Sequence, residues 1–429
     1  MAKKIQAVRG MSDILPEQTD LWQYVEHTFI RLVNQYQYRE IRFPVVEKTE
    51  LFCRTIGEVT DIVEKEMYVF EDRNGDSLAL RPEGTAGCVR ACIEHSLINR
   101  STQKLWYKGP MFRHERPQKG RYRQFYQFGV EAFGFATPDV DAEMILFTYQ
   151  FWKKLGLTDY VTLQINSLGT SECRKQYKEK LVAYYQQHHD VLDEDSQRRL
   201  STNPLRILDS KNPEMQALNA NAPKLLECLD EVSKQEFDTL LSILDACGIA
   251  YQINPCLVRG LDYYCKTVFE WVTDKLGAQG TICAGGRYDG LVEQLGGIPT
   301  PGIGFAMGLE RIIAILEDLN FTQHHRQADV FFITTNDAYQ ARALIICDKL
   351  RESSPDIACY YQPGAAGLKN QMKKADKSGA HLAVILGEDE FNSDTLTIKF
   401  LRIQNKEQVS VATDKLPQFI DEFKRSEHG

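Results

Sequence analysis

No stretch of this sequence is apolar for long enough to cross a membrane, and no signal-peptide core follows the opening Met1-Ala2-Lys3-Lys4-Ile5-Gln6. A cytoplasmic protein with no membrane partner is expected. Paired cysteines at zinc-ligand spacing are also missing. The eleven cysteines (Cys53, Cys88, Cys92, Cys173, Cys228, Cys247, Cys256, Cys265, Cys283, Cys347, Cys359) are odd in number, scattered, and include no C-x-x-C. They read as reduced thiols, so neither a disulfide framework nor a bound zinc is expected. His188-His189 and His324-His325 have no thiol spaced to help them hold a metal and are given no role. Excess positive charge is absent too. A formal net charge of -8 offers no global attraction to nucleic acid, so any RNA contact must rest on local patches. There is no internal repeat and no low-complexity tract.

What is present is a chain of 429 residues, longer than a single core usually grows, so two or three domains are expected. Leu21, Trp22, Val25, Phe29, Leu32, Val33 and Tyr36 recur at helical period and predict a long amphipathic helix over residues 17–38. A short strand around Ile41 to Val46 follows, its Pro44 suited to an edge or an interface. Residues 67–81 bracket Asn74-Gly75 with alternating segments, the signature of a hairpin. A second hairpin is expected from Leu105 to about Phe133. An antiparallel sheet follows from the two. Residues 170–250 turn helical, with Thr170 as a cap and Ser233-x-x-Glu236 as a capping box, which reads as an insertion within the first domain. Strand-like sequence resumes at residues 263–272. After a polar linker at 323–327, strands and helices alternate at 330–333, 338–350, 357–361, 368–377 and 382–386, as in a separate α/β domain with a largely parallel sheet.

One loop stands out chemically. Between Arg113 and Arg123 five basic residues face a single Glu, with Phe112, Tyr122, Phe125 and Tyr126 alongside. Period-two geometry puts Arg113 and Glu115 on one strand face and Phe125, Gln127, Gly129 and Glu131 on one face of the next. Charge directed inward from a sheet is costly without a partner, which favours a ligand site over packing. An arginine there offers a planar fork for phosphate, and a nearby ring offers a face for a base. The bland alternatives are a solvated loop, close strand–helix packing at Gly302 to Gly308, and Tyr263 and Tyr264 as sheet surface.

These segments together resemble a family. Phe112-Arg113-His114-Glu115 with its basic loop is similar to motif 2 of class II aminoacyl-tRNA synthetases, and Gly302-Ile303-Gly304-Phe305-Ala306-Met307-Gly308-Leu309-Glu310-Arg311 to their motif 3. The first helix and Pro44 resemble motif 1. Leu257-Val258-Arg259-Gly260-Leu261-Asp262-Tyr263-Tyr264 and Ala284-Gly285-Gly286-Arg287-Tyr288-Asp289-Gly290 resemble signatures of the histidyl-tRNA synthetases, as do Leu80-Arg81-Pro82-Glu83-Gly84-Thr85 and Val8-Arg9-Gly10-Met11-Ser12-Asp13. Tyr126 stands where many members carry His, and alternation points it away from the Phe125 face.

The resemblance implies an α+β catalytic domain built on an antiparallel sheet, residues 1–325 with the helical insertion at about 170–250, then an α/β anticodon-binding domain at 328–429. It implies ATP-dependent activation of L-histidine and transfer to tRNA(His) by a homodimer. ATP enters as a substrate, with Mg2+ accompanying it. Catalysis would fall to Arg259 and Arg113 on the α-phosphate, and ATP binding to Arg113, Glu115, Phe125, Arg259 and Arg311, with adenine between Phe125 and Arg311. Histidine would be held by Glu83, Thr85 and Gln127 at its amino end and by Glu131, Tyr263, Tyr264 and Tyr288 around the imidazole. Lys369, Lys373, Lys374 and Lys377 are candidates for RNA phosphates. The competing reading is a noncatalytic, synthetase-like regulatory subunit of histidine biosynthesis, in which catalytic residues and the last domain are usually lost.

Overall fold

The computed structural model describes residues 4–428 except 58–59, 61, 209, 211, 278–279, 322–327, 365–366 and 404. It divides into two compact units, Met1–Thr322 and Gln323–Gly429. The expected linker at 323–327, with His324-His325, lies outside the described residues. In chain order the first unit runs α1 (Pro16–Gln35), β1 (Arg39–Glu40), β2 (Val46–Lys48), α2 (Thr49–Ile56), β3 (Tyr68–Glu71), β4 (Ser77–Leu80), α3 (Thr85–Glu94), β5 (Gln103–Phe112), β6 (Gln124–Phe133), α4 (Pro138–Leu155) and β7 (Thr162–Ser167). It continues α5 (Ser171–Gln187), α6 (Glu194–Thr202), α7 (Pro213–Ala220), α8 (Glu231–Ala246), β8 (Gln252–Ile253), β9 (Cys265–Val272), β10 (Thr281–Arg287), α9 (Leu291–Gln294), β11 (Gly302–Gly308) and α10 (Leu309–Asp318).

An eight-stranded sheet in the order β1-β5-β6-β11-β10-β9-β7-β8 carries this unit. Its six central strands are antiparallel, as the hairpins predict, while both outermost pairs, β1 with β5 and β7 with β8, are parallel. Alternation along β6 sorts the two faces. Phe128, Val130 and Ala132 are fully buried in one core with Val25, Phe29, Leu32 and Val33 of α1 and with α4 and α10. Phe29 stacks on Phe128 at 3.9 Å, and removing a ring so enclosed costs about 3–5 kcal/mol. The apolar stripe of α1 is thus used inside the chain rather than left for a partner. Phe125, Gln127, Gly129 and Glu131 face the other way.

Pro44 does not sit in a strand. The chain pairs at Arg39–Glu40 and again at Val46–Lys48, and between them the carbonyls of Phe43 and Pro44 accept from Arg81 Nη1 at 3.2 and 3.5 Å. The Asn74-Gly75 hairpin forms as expected, with Gly75 at φ 86° and Asp72 Oδ1 accepting from the amides of Asn74 and Asp76. It belongs to a separate three-stranded sheet, β2-β4-β3.

The helical insertion, α5 to α8, leaves after β7 and returns through β8. Thr170 caps α5 through the Cys173 amide at 3.3 Å. The capping box at Ser233 does not form: α8 starts earlier, because Asp230 accepts from the Ser233 amide at 2.7 Å and Ser233 lies in the first turn. Asp230 holds the cap position expected of Ser233, and both residue types suit it. Tyr263 and Tyr264 precede β9 instead of opening it.

The second unit runs β12 (Val330–Thr334), α11 (Gln340–Ser353), β13 (Cys359–Tyr361), α12 (Leu368–Lys377), β14 (Leu382–Leu386), α13 (Glu388–Ser393), β15 (Thr395–Phe400), β16 (Val409–Ala412) and α14 (Leu416–His428). Its sheet order is β13-β12-β14-β15-β16. The first three strands are parallel, and the last two are an antiparallel hairpin the alternation did not reveal, entered through Asp394 in a left-handed turn at φ 51°. On α12 Gln371, Met372 and Ala375 pack inward, leaving Lys369, Lys373, Lys374 and Lys377 exposed.

Candidate active site

On the face of the large sheet opposite α1 a cavity of about 250 Å³ opens, lined by most of the residues singled out from sequence: Glu83, Thr85, Arg113, Glu115, Phe125, Gln127, Arg259, Tyr263, Tyr264 and Arg311. They come from five separate segments. The β6–β11 register sets Gln127 opposite Gly308 and Glu131 opposite Gly304. Gly304 is required by volume, since a Cβ there would lie 1.7 Å from Glu131 Oε2.

At one end the pocket is cationic. The Arg113 guanidinium lies over the Phe125 ring at 5.3 Å, and its Nε donates to the Pro82 carbonyl at 2.9 Å. Arg259 pairs with Glu270 through Nη1 and lies over the Tyr264 ring at 5.1 Å. Asp262, the neighbour most obvious in sequence, turns instead to Asn203 Nδ2 at 3.1 Å. Burial would lower the Arg259 pKa, yet Glu270, Tyr264 and Tyr263 outweigh it and raise the value overall. Arg311 donates through Nε to the Gly120 carbonyl at 3.0 Å and through Nη1 to Thr281. Glu115 pairs with Arg121. Glu310, at the start of α10, accepts from the Tyr126 amide at 2.9 and 3.0 Å, and burial pushes its carboxyl up to about 7 against those bonds. The Tyr126 ring itself turns away, edge-on to Trp22 at 5.6 Å, on the side that alternation predicts.

At the other end the groups are deeply buried. Glu83 accepts from the amides of Thr85 and Ala86 at 2.6 and 2.9 Å, so it also caps α3, and burial raises its pKa despite those two bonds. Glu131 and Tyr288 do not reach the cavity wall. Glu131 is fully buried beneath it, accepting from Thr85 Oγ1 at 2.7 Å, Tyr107 OH at 3.0 Å and Tyr288 OH, and burial pushes it up to about 8 despite the three hydroxyls. Tyr263, Tyr264 and Tyr288 pack ring to ring, with centroids 4.6 to 6.4 Å apart.

Two buried polar atoms of residues that line this cavity have no hydrogen-bond partner: the acceptor Gln127 Oε1 and the donor Arg259 Nε. Buried unpaired groups ask for an explanation, and a ligand that supplies the missing halves is one. A molecule with an N–H donor at one end and an anionic oxygen at the other meets both.

Sequence reasoning missed Glu270 and Tyr107. Glu270 had a signal, a lone carboxylate in the apolar run Thr267-Val268-Phe269-Glu270-Trp271. Tyr107 had none, hidden in the aromatic run Leu105-Trp106-Tyr107. Among the described residues no group of three or more His, Cys, Asp or Glu side chains is placed to hold a metal ion. No described helix is long and apolar enough to cross a membrane.

The family model described as "Histidyl-tRNA synthetase" matches residues 10–312, and that described as "Anticodon binding domain" matches residues 327–423. An apo histidyl-tRNA synthetase from S. aureus is 36% identical, with a TM-score of 0.81 over 97% of this chain and 100% of that one. A histidyl-tRNA synthetase from a Nostoc species is 21% identical, with a TM-score of 0.66 over 98% and 99% of the two chains. A Bacillus halodurans protein described as an ATP phosphoribosyltransferase regulatory subunit/histidyl-tRNA synthetase is 23% identical, with a TM-score of 0.62 over 87% and 97%.

Proposed function

The chain belongs to the histidyl-tRNA synthetase family, and from that premise we propose that it is a working ligase: it activates L-histidine with ATP and esterifies the product to tRNA(His). The carboxylate of histidine attacks the α-phosphorus of ATP, diphosphate leaves, and histidyl-adenylate forms. A hydroxyl of the terminal ribose of the tRNA then attacks the activated carbonyl and releases AMP. Negative charge builds on the α-phosphate oxygens in the first step, and fixed positive charge nearby lowers that barrier. Arg113 and Arg259 supply it. Adenine lies between Phe125 and Arg311, with Glu115 and Glu310 beside it.

Histidine's ammonium sits among Glu83, Thr85 and Gln127; its imidazole meets Tyr264 at the wall and, on entering, is read by Glu131 and Tyr288, which the fold keeps buried just beneath, while Tyr263 packs the wall. The observation that carries this reading is the pair of unsatisfied atoms, because Gln127 Oε1 lacks a donor and Arg259 Nε lacks an acceptor in one cavity. An α-amino acid poised against a phosphate provides both. Rejection of other amino acids follows, since a site built to hydrogen-bond an imidazole leaves buried groups unpaired with any analogue lacking one.

Magnesium arrives with ATP. Glu270 lines the cavity beside Arg259, and Mg2+ typically takes one or two carboxylates together with phosphate oxygens. Bound there, it would neutralise charge on the phosphates.

The regulatory-subunit reading is weaker. Arg113, Arg259 and Arg311 are all present and meet in one cavity, and the anticodon domain follows. The deciding measurement is amino-acid-dependent exchange of pyrophosphate into ATP, run across the amino acids and followed by charging of tRNA(His). Exchange with histidine alone is expected; none with any amino acid would overturn the reading.

A cytoplasmic homodimer completes it. The odd number and scattered spacing of the eleven cysteines suit a reducing compartment. With the stripe of α1 consumed internally, the surface offered to a second copy is the small sheet, where Val46, Val69 and Phe70 are exposed. Sedimentation at micromolar concentration should give the dimer mass. A fully active monomer would exclude it.

A further inference from the structure

Tyr107 is not in the cavity wall, yet its surroundings are built around it. The residue is 2% exposed at the middle of β5, and its ring passes between two glycines. A Cβ on Gly84 would lie 2.2 Å from Tyr107 Cε2, and one on Gly129 would lie 2.1 Å from Cζ. Phe43 meets the ring edge-on at 5.0 Å. A phenol so enclosed has its hydroxyl aimed at one acceptor, Glu131 Oε1, 3.0 Å away.

Thr85 Oγ1 donates to that same Oε1, and Tyr288 OH to Oε2. A carboxylate has about four lone-pair sites, two on each oxygen. Oε1 is therefore saturated, and a single site is left on Oε2. We propose that Tyr107 is a positioning residue for histidine recognition: by filling Oε1 it leaves Glu131 one acceptor site, matched to one imidazole N–H. This rests on the assignment of Glu131 to the imidazole made above.

The ionisable groups around Glu131 are Tyr38 before β1, Glu83 in the loop before α3, Cys88 on α3, Tyr107 on β5, Tyr263 and Tyr264 before β9, and Tyr288 after β10. Burial raises the tyrosines, so they stay neutral donors, and the Cys92 hydrogen bond, with burial behind it, raises Cys88 as well. Burial likewise raises Glu83, which keeps its two amide donors. Hydroxyl donors favour the carboxylate of Glu131, opposing the desolvation that raises it. Losing one should move its titration further up.

The test uses the full-length protein. Infrared titration follows the buried carboxylic acid, assigned by its loss in Glu131→Gln. Tyr107→Phe keeps the ring and removes the donor, and should move the midpoint up by about one pH unit, the size of a charge-assisted hydrogen bond. In pyrophosphate exchange the KM for histidine should rise about tenfold, following that shift, with kcat within about twofold. Fluorotyrosine at position 107, a stronger donor of nearly the same shape, should move the midpoint down. Packing alone predicts no such reversal, and this arm decides the matter if Tyr107→Phe folds poorly by urea denaturation. An unmoved infrared midpoint would overturn the proposal. Midpoints that move while the KM for histidine stays put would keep Tyr107's hold on Glu131 and remove Glu131 from the imidazole.

Discussion

The two units differ in what they bury. Among the described residues the first unit takes Arg81, Glu83, Glu131, Asp141 and Arg287 out of solvent, whereas the buried polar side chains of the second are Thr334, Ser354 and Gln371, none of them ionisable. The basic residues Lys369, Lys373, Lys374 and Lys377 of the second unit stand exposed on α12. Burying charge is expensive, and a fold does it where a preorganised field acts on a small ligand. Surface charge is inexpensive and suits a long phosphate backbone, which is met in water and released by salt. The difference fits a division of labour in which chemistry belongs to the first unit and RNA reading to the second.

The largest expected effect attacks the buried side. Arg259→Ala should lower single-turnover adenylate formation by about 10²- to 10³-fold, roughly 3 to 4 kcal/mol, with a much smaller change in the KM for histidine. Lys at 259 should restore only part of the rate, keeping the charge but losing the fork. The structure sharpens the alternative: a purely structural Arg259 would serve Glu270, and the variant would then lose urea stability while its chemistry stayed near normal.

Separating the units comes next. A chain ending near Arg326 should form adenylate within a few-fold of the intact protein while charging of tRNA(His) falls by about 10²-fold, the loss expected when one or two contacts worth roughly 1–3 kcal/mol each disappear. Equal loss of both activities in a folded truncation would show that the second unit also supports the active site, and the comparison would fail.

The smallest effect concerns Glu131. Glu131→Gln should raise the KM for histidine roughly tenfold, the scale of one hydrogen bond to a charged group. Stability supplies an independent measure. Folding raises this carboxyl from an ordinary 4.5 to about 8, so the native state holds a proton the unfolded chain has released. Its contribution is therefore complete below 4.5 and is lost as pH rises toward 8, on the order of a few kcal/mol. Urea midpoints should fall across that window, and the Gln variant should lack this part of the slope. An identical slope in both proteins would show that Glu131 is ionised in the folded chain.

The sequence by itself determined the elements and the faces. Helical period in α1, alternation along β6 and the Asn74-Gly75 turn are local patterns that few neighbours can override, and they sent Gln127 and Glu131 to one side and Phe128 and Tyr126 to the other. Motif order brought most of the lining residues to notice. Only the tertiary structure decided the partners. Arg259 ignores Asp262, three residues away, for Glu270 across a loop, because backbone direction sets which carboxylate the guanidinium can reach. Pro44 left the strand because its carbonyl and that of Phe43 answer Arg81, a contact between segments far apart in the chain. Tyr107 gained its meaning from Gly84, Gly129 and Glu131, and no spacing in the chain encodes a ring held between two glycines of different segments. Local sequence fixes direction and period; which polar atoms meet in the dry interior is a property of packing, where distance in space replaces distance along the chain.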